Sequence, residues 1–161
     1  MADLFASLVL VRFHGLDGQD MAKFMKTIEY LLLRRVHSME SSDLCKVVFS
    51  YAQLVRQRKI SSASTNVFKT LEYMIQNTWN EQKSMNEQAR VLNSFFEMAD
   101  LKIKKSNDSE GSEKNRSYID NILQLTDAFL VKMEELLEGE QHLDLSDSQL
   151  VALLYHLHCE I

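Results

Sequence analysis

Lys26-Thr27-Ile28-Glu29-Tyr30 recurs as Lys69-Thr70-Leu71-Glu72-Tyr73, four identities in five positions at a spacing of 43 residues. Apolar residues flank both copies: Phe24, Met25, Leu31 and Leu32 around the first, Val67, Phe68, Met74 and Ile75 around the second. A period of roughly 20–50 residues marks stacked repeats, whose units bury their apolar faces only against one another. The echo therefore predicts the second helix of two successive hairpins, with Ile28 and Leu71 facing the core.

The partner helix is clearest at Asp43-Leu44-Cys45-Lys46-Val47-Val48-Phe49-Ser50-Tyr51-Ala52-Gln53-Leu54. Leu44, Val47/Val48, Tyr51 and Leu54 recur at three- and four-residue steps and make one buried helical face. Ser41 or Ser42 is the expected cap. Shifting 38 residues towards the N-terminus sets Leu10, Phe13 and Leu16 on Val48, Tyr51 and Leu54, and shifting 44 residues onward sets Leu92, Phe95 and Met98 there. A looser copy starts at Leu150, with Asp147 or Ser148 as its cap. Second helices are expected near residues 21–38, 64–80 and 116–138. The expected fold is all-α, a short α-solenoid of about three and a half stacked antiparallel hairpins in a single domain. Its units span residues 2–38, 41–80 and 84–138, followed by a capping helix over 147–161. A polar connection, KKSNDSEGSEK at residues 104–114, contains no apolar residue and is expected to be a loop or contact arm.

Composition agrees with this fold. The 161 residues include no proline, which breaks helix interiors, and only four glycines, all at expected turns. No run rich in Val, Ile and Thr suggests a strand. Net charge is −5, but residues 1–80 carry +3 and residues 81–161 carry −8. Residues 134–147 hold six acids and no Lys or Arg, a tract that repels phosphate and suits a basic partner. Cys45 and Cys159 show no ligand or CxxC spacing, so free thiols are expected. The longest apolar run, Leu4 to Val11, is too short to span a bilayer and lacks the flanks of a signal peptide.

No phosphate-binding glycine loop, GxSxG, HExxH or EF-hand pattern is present, so the chain is expected to be non-enzymatic, without cofactor, metal or small-molecule substrate. His156, His158 and Cys159 are expected to be ordinary residues of the last helix, since zinc needs four well-spaced ligands. The aromatics Phe13, Tyr30, Tyr51, Tyr73, Phe95, Phe129 and Tyr155 sit at helical spacing among leucines, which predicts core positions for most of them rather than a base-stacking ladder. Basic residues are the functional candidates. Arg34 and Arg35 close one helix, and Arg56, Arg58 and Lys59 close the next, at opposite rims of a hairpin stack. Helix ends attract cations in any case, through the macrodipole. The densest group, Lys102, Lys104, Lys105, Lys114 and Arg116, surrounds the 104–114 loop and is the expected phosphate contact.

The stretch from Asp43 to Leu54 resembles the first helix of organellar helical repeats of the octotricopeptide and heptatricopeptide type, also seen beside RAP domains and in FAST-kinase-like proteins. The shared pattern is an Asp-Leu start, two aliphatics, an aromatic, a small residue, an aromatic or Leu, Ala and Leu. Residues 87–98 follow it in part, and residues 5–16 and 149 onward more loosely. The resemblance implies a mitochondrial or plastid protein that binds RNA or sits in a ribonucleoprotein assembly such as a mitochondrial ribosome. This chain departs from the family in its acidic balance, its small number of repeats and its lack of a RAP domain. The expectation is thus an adaptor subunit with protein partners and local contacts to an RNA phosphate backbone. Alternatives are an accessory subunit of a respiratory-chain or ATP-synthase complex, or a cytoplasmic adaptor that grips a peptide.

Overall fold

A computed structural model describes residues 2–10, 18–57, 65–81, 84–106, 112–139 and 142–160, with the backbone alone at 10, 18, 65, 81, 100–106, 112–119 and 159–160. Phe13, Leu16, Arg58 and Lys59 lie outside the described residues, as do the side chains of Lys102, Lys104, Lys105, Lys114, Arg116 and Cys159. Among the described residues there are seven α-helices and no strand: α1 (Ala2–Leu10), α2 (Gly18–Arg35), α3 (Ser41–Arg56), α4 (Thr65–Thr78), α5 (Met85–Ser106), α6 (Ser112–Glu138) and α7 (Asp147–Glu160). Short 3-10 turns follow α2 at Val36–Ser38 and α4 at Trp79–Glu81. The polar stretch 104–114 is partly helical, since α5 runs to Ser106 and α6 begins at Ser112.

The chain divides into two compact units, Met1–Thr78 and Trp79–Ile161. In the first, α1 packs on α3, α3 on α4, and α2 beside α4. In the second, α5 packs on both α6 and α7. Helices thus pack on neighbours one and two places along the chain.

The two long first helices match residue for residue. Every buried residue of α3 has a buried counterpart in α5 at a step of 44, from Leu44/Gln88 and Cys45/Ala89 through Tyr51/Phe95 to Val55/Ala99. Each helix buries a wide face and leaves a polar strip, at Ser42, Lys46 and Arg56 in α3 and at Glu87, Arg90 and Glu97 in α5. The second helices match at a step of 43. Met25/Phe68, Ile28/Leu71, Leu32/Ile75 and Val36/Trp79 are buried in pairs, and both 3-10 turns begin at the same register. With no Gly or Pro at Val36–Ser38, the chain tightens there, and the Met39 N–H closes on the Val36 carbonyl at 3.2 Å.

Three tyrosines expected in the core lie on the surface. Tyr30, Tyr73 and Tyr155 are 58%, 60% and 65% exposed, whereas Tyr51, Phe95 and Phe129 are fully buried. The reason is angular. Tyr30 and Tyr73 each follow a core residue, Ile28 or Leu71, by two positions, and Tyr155 follows the buried Leu153 likewise; two helical steps turn a side chain by about 200°. On α7 the covered side is the one facing α5, where His156 stacks on Phe96 (ring centroids 5.4 Å, interplanar 13°). Val151, Leu154 and Tyr155 remain exposed on another side.

The helix starts also differ from expectation. Glu40, rather than Ser41 or Ser42, is the N-cap of α3, and its carbonyl accepts from the N–H groups of Asp43 and Leu44 (both 3.0 Å). At α7 the Ser146 carbonyl receives the N–H groups of Gln149 and Leu150 at 3.0 and 3.1 Å. Ser84 is the side-chain cap of α5: its Oγ accepts from the Asn86 N–H (3.2 Å) and donates to Asp144 Oδ2 (2.7 Å). Ser146 Oγ donates to Asn86 Oδ1 (3.1 Å), so the segment before α7 is tied to the start of α5 at two points.

Further along, the buried Asn93 Nδ2 donates to Gln149 O (3.1 Å) and Gln149 Oε1 (2.9 Å), joining α5 to α7. Asn93→Ala removes both bonds and is expected to cost about 1–2 kcal/mol. Amide exchange would check this: α7 should exchange faster in the variant while α3 is unchanged, and equal α7 protection in both proteins would refute the role.

Candidate functional site

The basic residues expected to meet a partner fall into separate places. Arg34 and Arg35 are exposed in the last turn of α2, where the unsatisfied carbonyls of the helix end favour cations. Arg56 is exposed in the last turn of α3. Arg35 adjoins the turn leading into α3, and the 16 residues of α3 carry the chain about 24 Å further before Arg56 is reached. The structure therefore does not bring Arg34 and Arg35 together with Arg56. For the loop group, it places Lys102, Lys104 and Lys105 on the last turns of α5 and Lys114 and Arg116 on the first turns of α6.

A cationic face that sequence reasoning missed runs along α2. Lys23, Lys26, Tyr30 and Arg34 follow one another at steps of three and four, so they share one side of the helix, and all four are exposed. The Arg34 guanidinium lies over the Tyr30 ring, 5.7 Å from its centroid, a contact that contributes about 0.5–1 kcal/mol at an exposed site. Lys23 Nζ stands 3.8 Å from Asp20 Oδ1 at the start of the helix. Both partners are solvent-exposed, so the pair contributes little to stability. Helix α4 repeats the theme with Lys69 and Tyr73, both exposed. The signal was present in the chain. Once Ile28 and Leu71 face the core, Lys26, Tyr30, Lys69 and Tyr73 have to face away.

The glutamate of each copy lies off that outer face. Glu29 is half-buried and accepts a hydrogen bond from the Tyr51 hydroxyl, linking α2 to α3, and Glu72 is buried. The outer sides of α2 and α4 are thereby left almost without acids.

In the second unit a cleft of about 350 Å³ is lined by Trp79, Asn80, Gln88, Ala128, Val131, Lys132 and Glu135. Its central polar groups are engaged with one another. Gln88 Nε2 donates to the Trp79 carbonyl (3.2 Å), while Lys132 Nζ donates to Gln88 Oε1 (3.3 Å). Gln88 takes the register held by Leu44 in α3, and these two bonds satisfy it at a buried position. Asp120, Asp127, Glu134, Glu135 and Glu138 are exposed along α6, an acidic face in keeping with the charge of that half.

Among the described residues, no three His, Cys, Asp or Glu side chains gather as a metal site, and no helix is long and apolar enough to cross a membrane. His158 and His142 are exposed, and Cys45 is buried. No family model, curated protein or solved structure matches the chain.

Proposed function

We propose that this chain is a non-enzymatic α-solenoid adaptor in a mitochondrial ribonucleoprotein assembly, with the mitochondrial ribosome as the first assembly to test. The observation that carries the reading is the shared burial register of α3 and α5, together with that of α2 and α4. Repeated units of this kind supply a rigid scaffold whose outer faces vary independently of the core, and arrays built this way serve as binding surfaces. The polarity of charge supports a division of labour. The net positive first half carries exposed cations, including Arg34, Arg35 and Arg56, for phosphate, while the acidic exposed face of α6 suits a basic protein partner.

Affinity purification of the tagged chain, with and without RNase, tests the reading. The expected result is recovery of ribosomal RNA and proteins, with part of the association lost after RNase. Triple reversal of Lys102, Lys104 and Lys105 to Glu is expected to weaken the RNA-dependent part most at low salt and to flatten its salt dependence. Co-purification with respiratory-chain or ATP-synthase subunits and no RNA would replace this reading with that of an accessory subunit. Recovery in the cytosolic fraction would replace it with a peptide-gripping adaptor.

A further inference from the structure

The two copies of the echo share Lys26/Lys69 and Tyr30/Tyr73 on their exposed side, while their buried apolar residues differ. The buried apolar pairs all differ: Met25/Phe68, Ile28/Leu71, Leu32/Ile75 and Val36/Trp79. On the outer side Lys26/Lys69, Thr27/Thr70 and Tyr30/Tyr73 are identical. Core packing tolerates apolar exchanges that keep the volume. It asks nothing of a lysine in solvent, and a tyrosine left more than half exposed gains little from burial. Packing alone therefore does not account for the shared Lys26/Lys69 and Tyr30/Tyr73.

The outer face also has one dominant sign. Lys23, Lys26 and Arg34 surround Tyr30, Lys69 lies one turn from Tyr73, and the bordering Asp20 lies beside Lys23. Because α2 packs beside α4 and both turn corresponding residues into one core, their outer faces run side by side. Neighbouring helix axes lie about 8–10 Å apart, so the two tyrosine–lysine stripes form one surface.

We propose that this double stripe binds single-stranded RNA, with Lys26 and Lys69 on phosphates and the Tyr30 and Tyr73 rings stacking on bases. This rests on the RNA-associated reading above and moves the contact from the helix ends to the helix faces. Exposed aromatics alternating with cations are the arrangement that holds unpaired strands, because every base offers a flat face to a ring. An acidic peptide would engage the lysines and leave the rings unused. Duplex RNA keeps its bases stacked inside and offers the tyrosines nothing.

The test is fluorescence anisotropy on the full chain with a labelled single-stranded RNA of about 12 nucleotides, within the usual site size of such surfaces. Duplex RNA of equal length and a polyglutamate peptide are the competitors. The single strand is expected to bind best, and Tyr30→Ala and Tyr73→Ala are each expected to weaken binding at least about 5-fold. Tyr30→Phe should retain affinity. Lys26→Gln and Lys69→Gln should each reduce the slope of log affinity against log salt by about 0.7. All four sites are exposed, so thermal melts should match the parent and exclude a folding artefact. Binding that ignores these variants but is lost on reversing Lys102, Lys104 and Lys105 overturns the stripe and leaves RNA association standing. Failure to bind any RNA overturns both, and preference for the peptide or the duplex overturns the stripe as a single-strand surface.

Discussion

Phe95→Ala is expected to lower the unfolding free energy by about 3–5 kcal/mol, a large part of the stability of a domain this size. The ring is fully buried in α5, a helix that buries a wide face, with buried neighbours one turn away at Leu92 and Ala99. Truncation removes the transfer free energy of the ring and leaves a cavity that a helix packed in this way cannot close by shifting towards solvent. Tyr155→Ala is the control. It removes a larger side chain at a 65% exposed position and is expected to change stability by less than about 0.5 kcal/mol. Urea unfolding followed by far-UV circular dichroism gives both values. A loss below about 1 kcal/mol at Phe95 would mean that α5 is not the centre of its unit.

Proline scanning across α3 should give the sharpest contrast in the molecule. Val48→Pro removes an interior N–H and sets the ring against the carbonyl of the preceding turn, at a cost of about 3 kcal/mol or more before any loss of packing. Ser41→Pro, seven residues earlier, is expected to be nearly neutral. Ser41 is the first helical residue, where the N–H has no place in the ladder. Glu40 before it has φ −71° and ψ 157°, the extended conformation that a following proline requires. The first intrahelical bonds to Glu40 come from Asp43 and Leu44, so proline at Ser41 removes neither of them. Equal destabilisation by the two variants would show that Ser41 lies inside the helix and that α3 begins earlier.

The backbone plan was open to inspection in the amino-acid sequence because two signals reinforced each other. The Lys-Thr-aliphatic-Glu-Tyr echo gave the step between second helices, and the register of Val48, Tyr51 and Leu54 on Leu92, Phe95 and Met98 gave the step between first helices. All six of those residues are buried. The surface was harder to read. Tyr30, Tyr73 and Tyr155 are as apolar in composition as Tyr51, and only their angular distance from Ile28, Leu71 and Leu153 separates them. Cations at helix ends pointed to Arg34, Arg35 and Arg56, while Lys23, Lys26 and Lys69 fall within their helices, where lysine is the usual dress of a solvated face. Caps differed for a local reason. A serine is a good cap by chemistry, but at α3 the backbone of Glu40 already closes the first turn, so Ser41 and Ser42 fall inside the helix.

The two repeat steps differ by one residue, and the difference has a location. From Ser38 to Ser41 the chain crosses two positions, whereas from Glu81 to Met85 it crosses three. One residue has been gained or lost at a seam, where it alters only the reach of a connector. The same event inside α5 would turn every later side chain by about 100° and bring polar residues into the core. The molecule thus behaves like a text with punctuation: length can change at the joints, and the frame within each helix cannot slip.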